Sequence, residues 1–135
     1  MPGQACVRHE ATFARTPGEV PAARHFVRAV LGEHPAAEDT ELLACELVTN
    51  AVVHAGDAVK VTVAVTVSGP LVHVEVTDDG IAGLPHWRDA DAGNDAEGGR
   101  GFWVLDAYAA RWGFVREKAT ATTTCWFDLS AGEAA

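Results

Sequence analysis

Hydrophobic and polar residues alternate strictly through AVKVTVAVTV, from Ala58 to Val67. Val59, Val61, Val63, Val65 and Val67 fall on one side, with Lys60, Thr62 and Thr66 on the other. A period of two predicts a half-buried strand. Ser68-Gly69-Pro70 reads as a turn. LVHVEVT, from Leu71 to Thr77, then repeats the alternation with Val72, Val74 and Val76 inward. So short a connection makes the pair an antiparallel hairpin, because a parallel pair needs a long crossover.

Upstream the period changes. Val20, Ala23, Val27, Val30 and Leu31 recur at helical spacing, with Arg24 and Arg28 on the other side. They predict a helix from Glu19 to Leu31, ended by Gly32 and Pro35. A second helix is predicted from a cap at Asp39 or Thr40 to about Ala55, stopping at Gly56. CVRHEATFAR, Cys6 to Arg15, reads as a short strand. From Asp78 to Arg100 glycine, proline, aspartate and asparagine replace any period. A segment of that kind inside a small domain reads as a functional lid or as disorder. GFWVLDAYAARWG resumes helical character, with Trp103, Leu105, Tyr108 and Ala109 able to share a buried side. Strands from Arg111 to Arg116 and from Thr122 to Leu129 follow. Helices segregated onto one face of a mixed, mainly antiparallel sheet predict a two-layer α/β sandwich.

Length makes this one domain over 1–135, with ends expected to fray at about 1–5 and 130–135. A net charge of −9 and scattered basic residues argue against direct nucleic-acid binding. The apolar stretch around Leu42 to Ala55 is too short for a bilayer and is broken by Glu46 and Asn50. No signal-peptide pattern opens the N-terminus. Cys6, Cys45 and Cys125 lie far apart without metal-ligand spacing, which favours a reducing, cytoplasmic setting.

Three features carry candidate chemistry. In CELVTNAVVHAG, Glu46, Asn50 and His54 form a slowly turning stripe on an otherwise apolar helix. An isolated buried carboxylate is costly, so the stripe must meet water, a partner side chain or a polar ligand. On the helix alone a plain solvent-facing edge is the default reading, and His54 could simply satisfy the helix C-terminus. VTDDGIAG places Asp78 and Asp79 before a glycine where a valine-rich strand ends; an ordinary turn is the default reading. EGGRGFWVL opens a helix with three glycines and Arg100, a place where backbone N–H groups and the helix N-terminus suit an anion. Taken in order, the three suggest a nucleotide pocket: an acceptor for a base, donors for phosphates and an amide oxygen for magnesium.

In that order the segments resemble a known family. ELVTNAVVHA is similar to the N box, VTDDGIAG to the first glycine box and GGRGFWVL to the second glycine box of the Bergerat-fold ATP-binding proteins. Within them the chain, apart from its ends, resembles the single-domain anti-sigma factor serine kinases of the SpoIIAB and RsbW type, and actinobacterial stand-alone regulators of that type. The resemblance implies that Asn50 ligates Mg²⁺ on ATP and that Glu46 is the general base for a partner hydroxyl. It implies that Asp78 accepts from the adenine amino group, with Gly80 and Gly83 beneath the base. Gly99, Arg100 and Gly101 would hold phosphates, and Thr124 would support Asp78 and the adenine. It further implies a homodimer and a partner that is an anti-anti-sigma (STAS) protein, a sigma factor, or both. Two positions depart from the pattern. Ala82 stands where the second glycine of the first box is usual, and Thr123 takes the place of a lysine.

Overall fold

The computed structural model describes residues 6–54, 58–79 and 105–131. Five strands carry the fold: β1 (Cys6–Ala14), β2 (Lys60–Ser68), β3 (Leu71–Asp78), β4 (Arg111–Glu117) and β5 (Thr122–Ser130). A 3-10 turn (Pro17–Glu19) leads into α1 (Val20–Leu31), and α2 (Ala37–His54) follows. Residues 105–108 are helical. The sheet order is β1-β2-β3-β5-β4, so β5 inserts between its hairpin partner β4 and β3. Each of these pairings is antiparallel, in keeping with the mainly antiparallel sheet expected from the sequence.

Alternation sets the two faces. Val61, Val63 and Val65 of β2, Val72, Val74 and Val76 of β3, and Cys125, Phe127 and Leu129 of β5 are buried on one face. Against them lie Ala23, Val27 and Leu31 of α1 and Leu43, Leu47 and Ala51 of α2, forming one core. Burial of these side chains contributes roughly 1.5–3 kcal/mol each, which outweighs the modest strand and helix propensities involved. The opposite face is polar. There His73 pairs across β5 with Asp128, and Asp128 pairs with Arg111 of β4. His73 Nδ1 lies 2.6 Å from one Asp128 oxygen, and the Arg111 guanidinium donates to the other at 2.8 Å. Trp126 stacks on His73 with ring centroids 5.7 Å apart. The indole also lies over Gly113, where a Cβ would come within 3.1 Å of it.

Local differences from the sequence reading have physical causes. Helix α2 starts at Ala37, so Asp39 and Thr40 lie within its first turn rather than capping it. His34 does the capping: its Nδ1 accepts the Ala36 N–H at 3.0 Å while Nε2–H donates to the Gly69 carbonyl at 2.8 Å. That second bond ties the start of α2 to the β2–β3 turn. Tyr108, placed on a buried side by periodicity, is 51% exposed, whereas Leu105 is buried. The helix ends there, with the Ala109 N–H bonded to Leu105, and β4 begins at Arg111. Ser130, expected to fray, pairs with Leu71, and the Ala131 N–H donates to the Pro70 carbonyl. Cys6, Cys45 and Cys125 are free thiols, and burial pushes the Cys125 thiol up to about 12. No helix among the described residues is long and apolar enough to cross a membrane.

Candidate functional site

The candidate side chains converge through topology. Asp78 closes β3 and faces Val61 of β2 and Thr123 of β5 in register. All three lie at the end of the sheet where β1 finishes, because Ala14 pairs with Lys60. Helix α2 finishes at the same end. The side chain of Arg15, one residue past β1, donates from Nε to the Val52 carbonyl at 3.0 Å and from NH1 to the Ala58 carbonyl at 3.1 Å. The first of these bonds satisfies a carbonyl in the last turn of α2, where a cation is favoured. The sheet end therefore gathers Asp78, Thr123 and the helical turn that carries Asn50.

Among the described residues α2 also has a flank without side-chain bonds. Glu41 accepts from Arg28 at 2.9 Å and Arg24 at 3.4 Å, which marks the flank facing α1. At about 100° per residue, Glu46 lies roughly 140° and Asn50 roughly 180° around the helix from Glu41. Both are half-buried. Among the described residues neither side chain has a hydrogen bond or ion pair, in contrast to Glu41. A half-buried carboxylate and amide left unpaired beside a core are available to bind something else.

Asp78 is 7% exposed and Thr123 4% exposed. Among the described residues the Thr123 hydroxyl has no hydrogen-bond partner. A buried polar atom in that condition asks for a ligand or a water, and it sits beside a buried carboxylate that could accept a donor. This orphaned hydroxyl is the structural feature that fits an adenine-like group at Asp78. Next to it, Asp79 takes another role. Its Oδ1 accepts the N–H groups of Val59 and Lys60 at 2.8 and 3.1 Å and so fixes the connection entering β2. Desolvation raises the Asp79 carboxyl, but the Lys60, Val59 and its own backbone N–H bonds outweigh it and hold the group below its ordinary range.

Thr124 is not brought to Asp78. It pairs with Thr77, and the two hydroxyls bond at 2.7 Å on the polar face of the sheet. The threonine across from Asp78 is Thr123, the position noted in the sequence only for lacking a lysine. The signal was present: the inward set Cys125, Phe127 and Leu129 extends back by twos to Thr123, not Thr124. Arg15 was also missed, since only the fold brings it to Val52. His54 ends α2. Gly80, Gly83, Gly99, Arg100, Gly101 and Ala82 lie outside the described residues, as does most of the expected lid.

A sheet with helices on one face, and a polar cluster at the end where the helix and strand carrying it terminate, defines a small-ligand-binding α/β domain. The chain belongs to the histidine kinase-like ATPase domain family, which it matches over residues 13–126. Among solved structures it is similar to the crystal structure of the RsbU and RsbW domains of Rv1364c from Mycobacterium tuberculosis. The TM-score is 0.63 at 19% sequence identity, covering 92% of this chain and 32% of that one. At that identity the likeness is one of fold, and this chain spans about a third of the matched chain. None of the curated proteins matches it.

Proposed function

We propose that this protein binds Mg-ATP and regulates by phosphorylating a serine or threonine of an anti-anti-sigma (STAS) partner. The observation that supports this most is the end of the sheet: a buried Asp78 facing the unpartnered hydroxyl of Thr123. Glu46 and Asn50 lie on the flank of α2 away from α1, and α2 ends over the same edge. Membership of an ATPase domain family agrees with the ligand. The partner class comes from the resemblance of the three sequence boxes to anti-sigma factor serine kinases.

Bound Mg-ATP would supply the phosphoryl group. Asp78 would accept from the base amino group, with Thr123 supporting that contact directly or through water. Asn50 would offer its amide oxygen to Mg²⁺. Glu46 would take the proton from the partner's hydroxyl as that oxygen is phosphorylated. Gly99, Arg100 and Gly101 are assigned to phosphates by resemblance. A phosphorylated partner would lose its fit by charge repulsion and desolvation.

A second reading comes from the resemblance to anti-sigma factors, which implies a sigma factor as an alternative direct partner. In it the protein binds ATP but only sequesters a sigma factor or another regulator. Incubation with γ-labelled ATP and candidate STAS proteins, comparing wild type with Glu46→Ala, separates the two. Label on a STAS protein that is lost in Glu46→Ala supports phosphotransfer. Partner binding without any label, unchanged in Glu46→Ala, supports sequestration. Absence of Mg-ATP binding by calorimetry would reject both.

A further inference from the structure

The face of the sheet away from the helices carries a hollow of about 440 Å³, lined by Leu71, His73, Glu75, Arg111, Trp126 and Asp128. A volume of that order suits a small molecule. Two features shape it. The first is the Trp126 indole, which folds over Gly113, its cross-strand partner on β4. A Cβ at Gly113 would come within 3.1 to 3.2 Å of three indole atoms, so the ring can lie there because the position is glycine. The same ring stacks on His73. The second feature is Asp128, which is 4% exposed although it lies on the polar face. A carboxylate buried that far must be paired. One of its oxygens meets His73 Nδ1, and the other accepts from the Arg111 guanidinium.

This pairing uses up some groups and leaves others. Both Asp128 oxygens are engaged. The Glu75 oxygens lie 3.1 Å from His73 Nε2 and 3.5 Å from Arg8. The acceptors of the hollow are therefore already matched, but its donors are not. Holding Asp128 occupies one nitrogen of Arg111, whose side chain is still 74% exposed. Among the described residues nothing accepts from the Trp126 indole N–H. Leu71 adds an apolar wall and is 41% exposed. Unused donors beside apolar surface suit an acceptor carried on an apolar body. A guanidinium held at one nitrogen by a buried carboxylate keeps its other N–H groups in a fixed plane, which matches the two oxygens of a second carboxylate.

We propose that this hollow binds a small amphipathic carboxylate. The acid's oxygens accept from Arg111 and the Trp126 N–H, and its apolar body lies against Leu71 and the indole. The hollow is distinct from the candidate nucleotide end. His73 and Asp128 pair five residues along β3 from Asp78, about 16 Å in a strand, and their side chains lie on the opposite face. The inference does not need the phosphotransfer reading.

Nuclear magnetic resonance titration of the full chain with phenylacetate, acetate and benzylamine tests it. Phenylacetate carries the anion and the apolar body, acetate the anion alone, and benzylamine a similar body with the opposite charge. Phenylacetate should shift the Trp126 indole N–H signal and the amide signals near residues 71–75, 111–113 and 126–128. It should bind at least about tenfold tighter than either of the others. Saturating Mg-ATP should leave that affinity unchanged. Arg111→Lys keeps a charge for Asp128 but loses the planar fork, and should weaken phenylacetate by about tenfold. Leu71→Ala disturbs no ion pair and should weaken it by about threefold. Circular dichroism melts confirm that each variant folds. Absence of phenylacetate binding at millimolar concentration, equal binding of benzylamine, displacement by Mg-ATP, or full affinity in both variants would each overturn the proposal.

Discussion

Thr123→Val removes one oxygen and should do two opposite things. Thr123 is 4% exposed and its hydroxyl bonds to nothing among the described residues. Leaving a buried hydroxyl unsatisfied costs about 1–3 kcal/mol, and an apolar group of the same shape avoids that cost. At the lower end of that range, the folded, ligand-free protein should gain about 1 kcal/mol. For a domain of this size that is a rise of roughly 4 °C in Tm. Nucleotide affinity should fall instead, since one bond of about 1 kcal/mol at Asp78 disappears, or roughly five- to tenfold in Kd. Thr40→Val is the control. Thr40 is fully buried with an equally unpartnered hydroxyl, but it lies in the first turn of α2, at the opposite end of the sheet. It should raise Tm by a similar amount and leave affinity alone. Thermal melts without nucleotide and calorimetric titration with Mg-ATP measure both quantities. If Thr123→Val lowers Tm, or binds Mg-ATP as well as wild type, the assignment of Thr123 to the pocket is wrong.

Three further predictions concern the frame around the site. Gly113→Ala forces a Cβ to within 3.1 Å of the Trp126 indole, which is already stacked on His73. Chemical denaturation should show a loss of about 1–3 kcal/mol, the usual range for overpacking. Asp79 stabilises the β2 entry as a carboxylate, and its folded pKa is depressed. Its contribution is therefore present above the ordinary carboxylate range and disappears as pH falls through the folded value. Asp79→Asn should lower stability at neutral pH and flatten the loss seen in acid, and a parallel pair of pH–stability curves would contradict this. In thiol labelling of the native protein, exposed Cys6 should react quickly, whereas Cys125, buried and pushed up to about 12, should react only after unfolding.

Much of the architecture was legible because it is local. Valines at every second position of β2 and β3 can be buried only if those segments are strands with one face inward. The apolar spacing of α1 leaves Arg24 and Arg28 outside in the same way. The Glu46–Asn50 stripe was visible too, but its meaning was not, since a solvent-facing edge has the same pattern. The fold adds that Glu41 is tied to the arginines of α1, whereas among the described residues Glu46 and Asn50, on the other flank, have no side-chain bond. Tyr108 shows the reverse case. Helical spacing put it inward, but Tyr108 is itself the last residue of the helix and is exposed.

Sequence alone determined which residues share a face of a given strand or helix, because periods of two and 3.6 are properties of the backbone. It also determined that Asp78 ends a buried strand. Only the tertiary structure decided which strand lies beside that end. β5 inserts next to β3, and the pairing sum that sets Thr77 against Thr124 sets Asp78 against Thr123. A shift of one residue would exchange the two threonines between the core face and the polar face. That register is fixed by packing Cys125, Phe127 and Leu129 together with the valines of β3. It is a contact between segments more than forty residues apart along the chain, which no local period encodes.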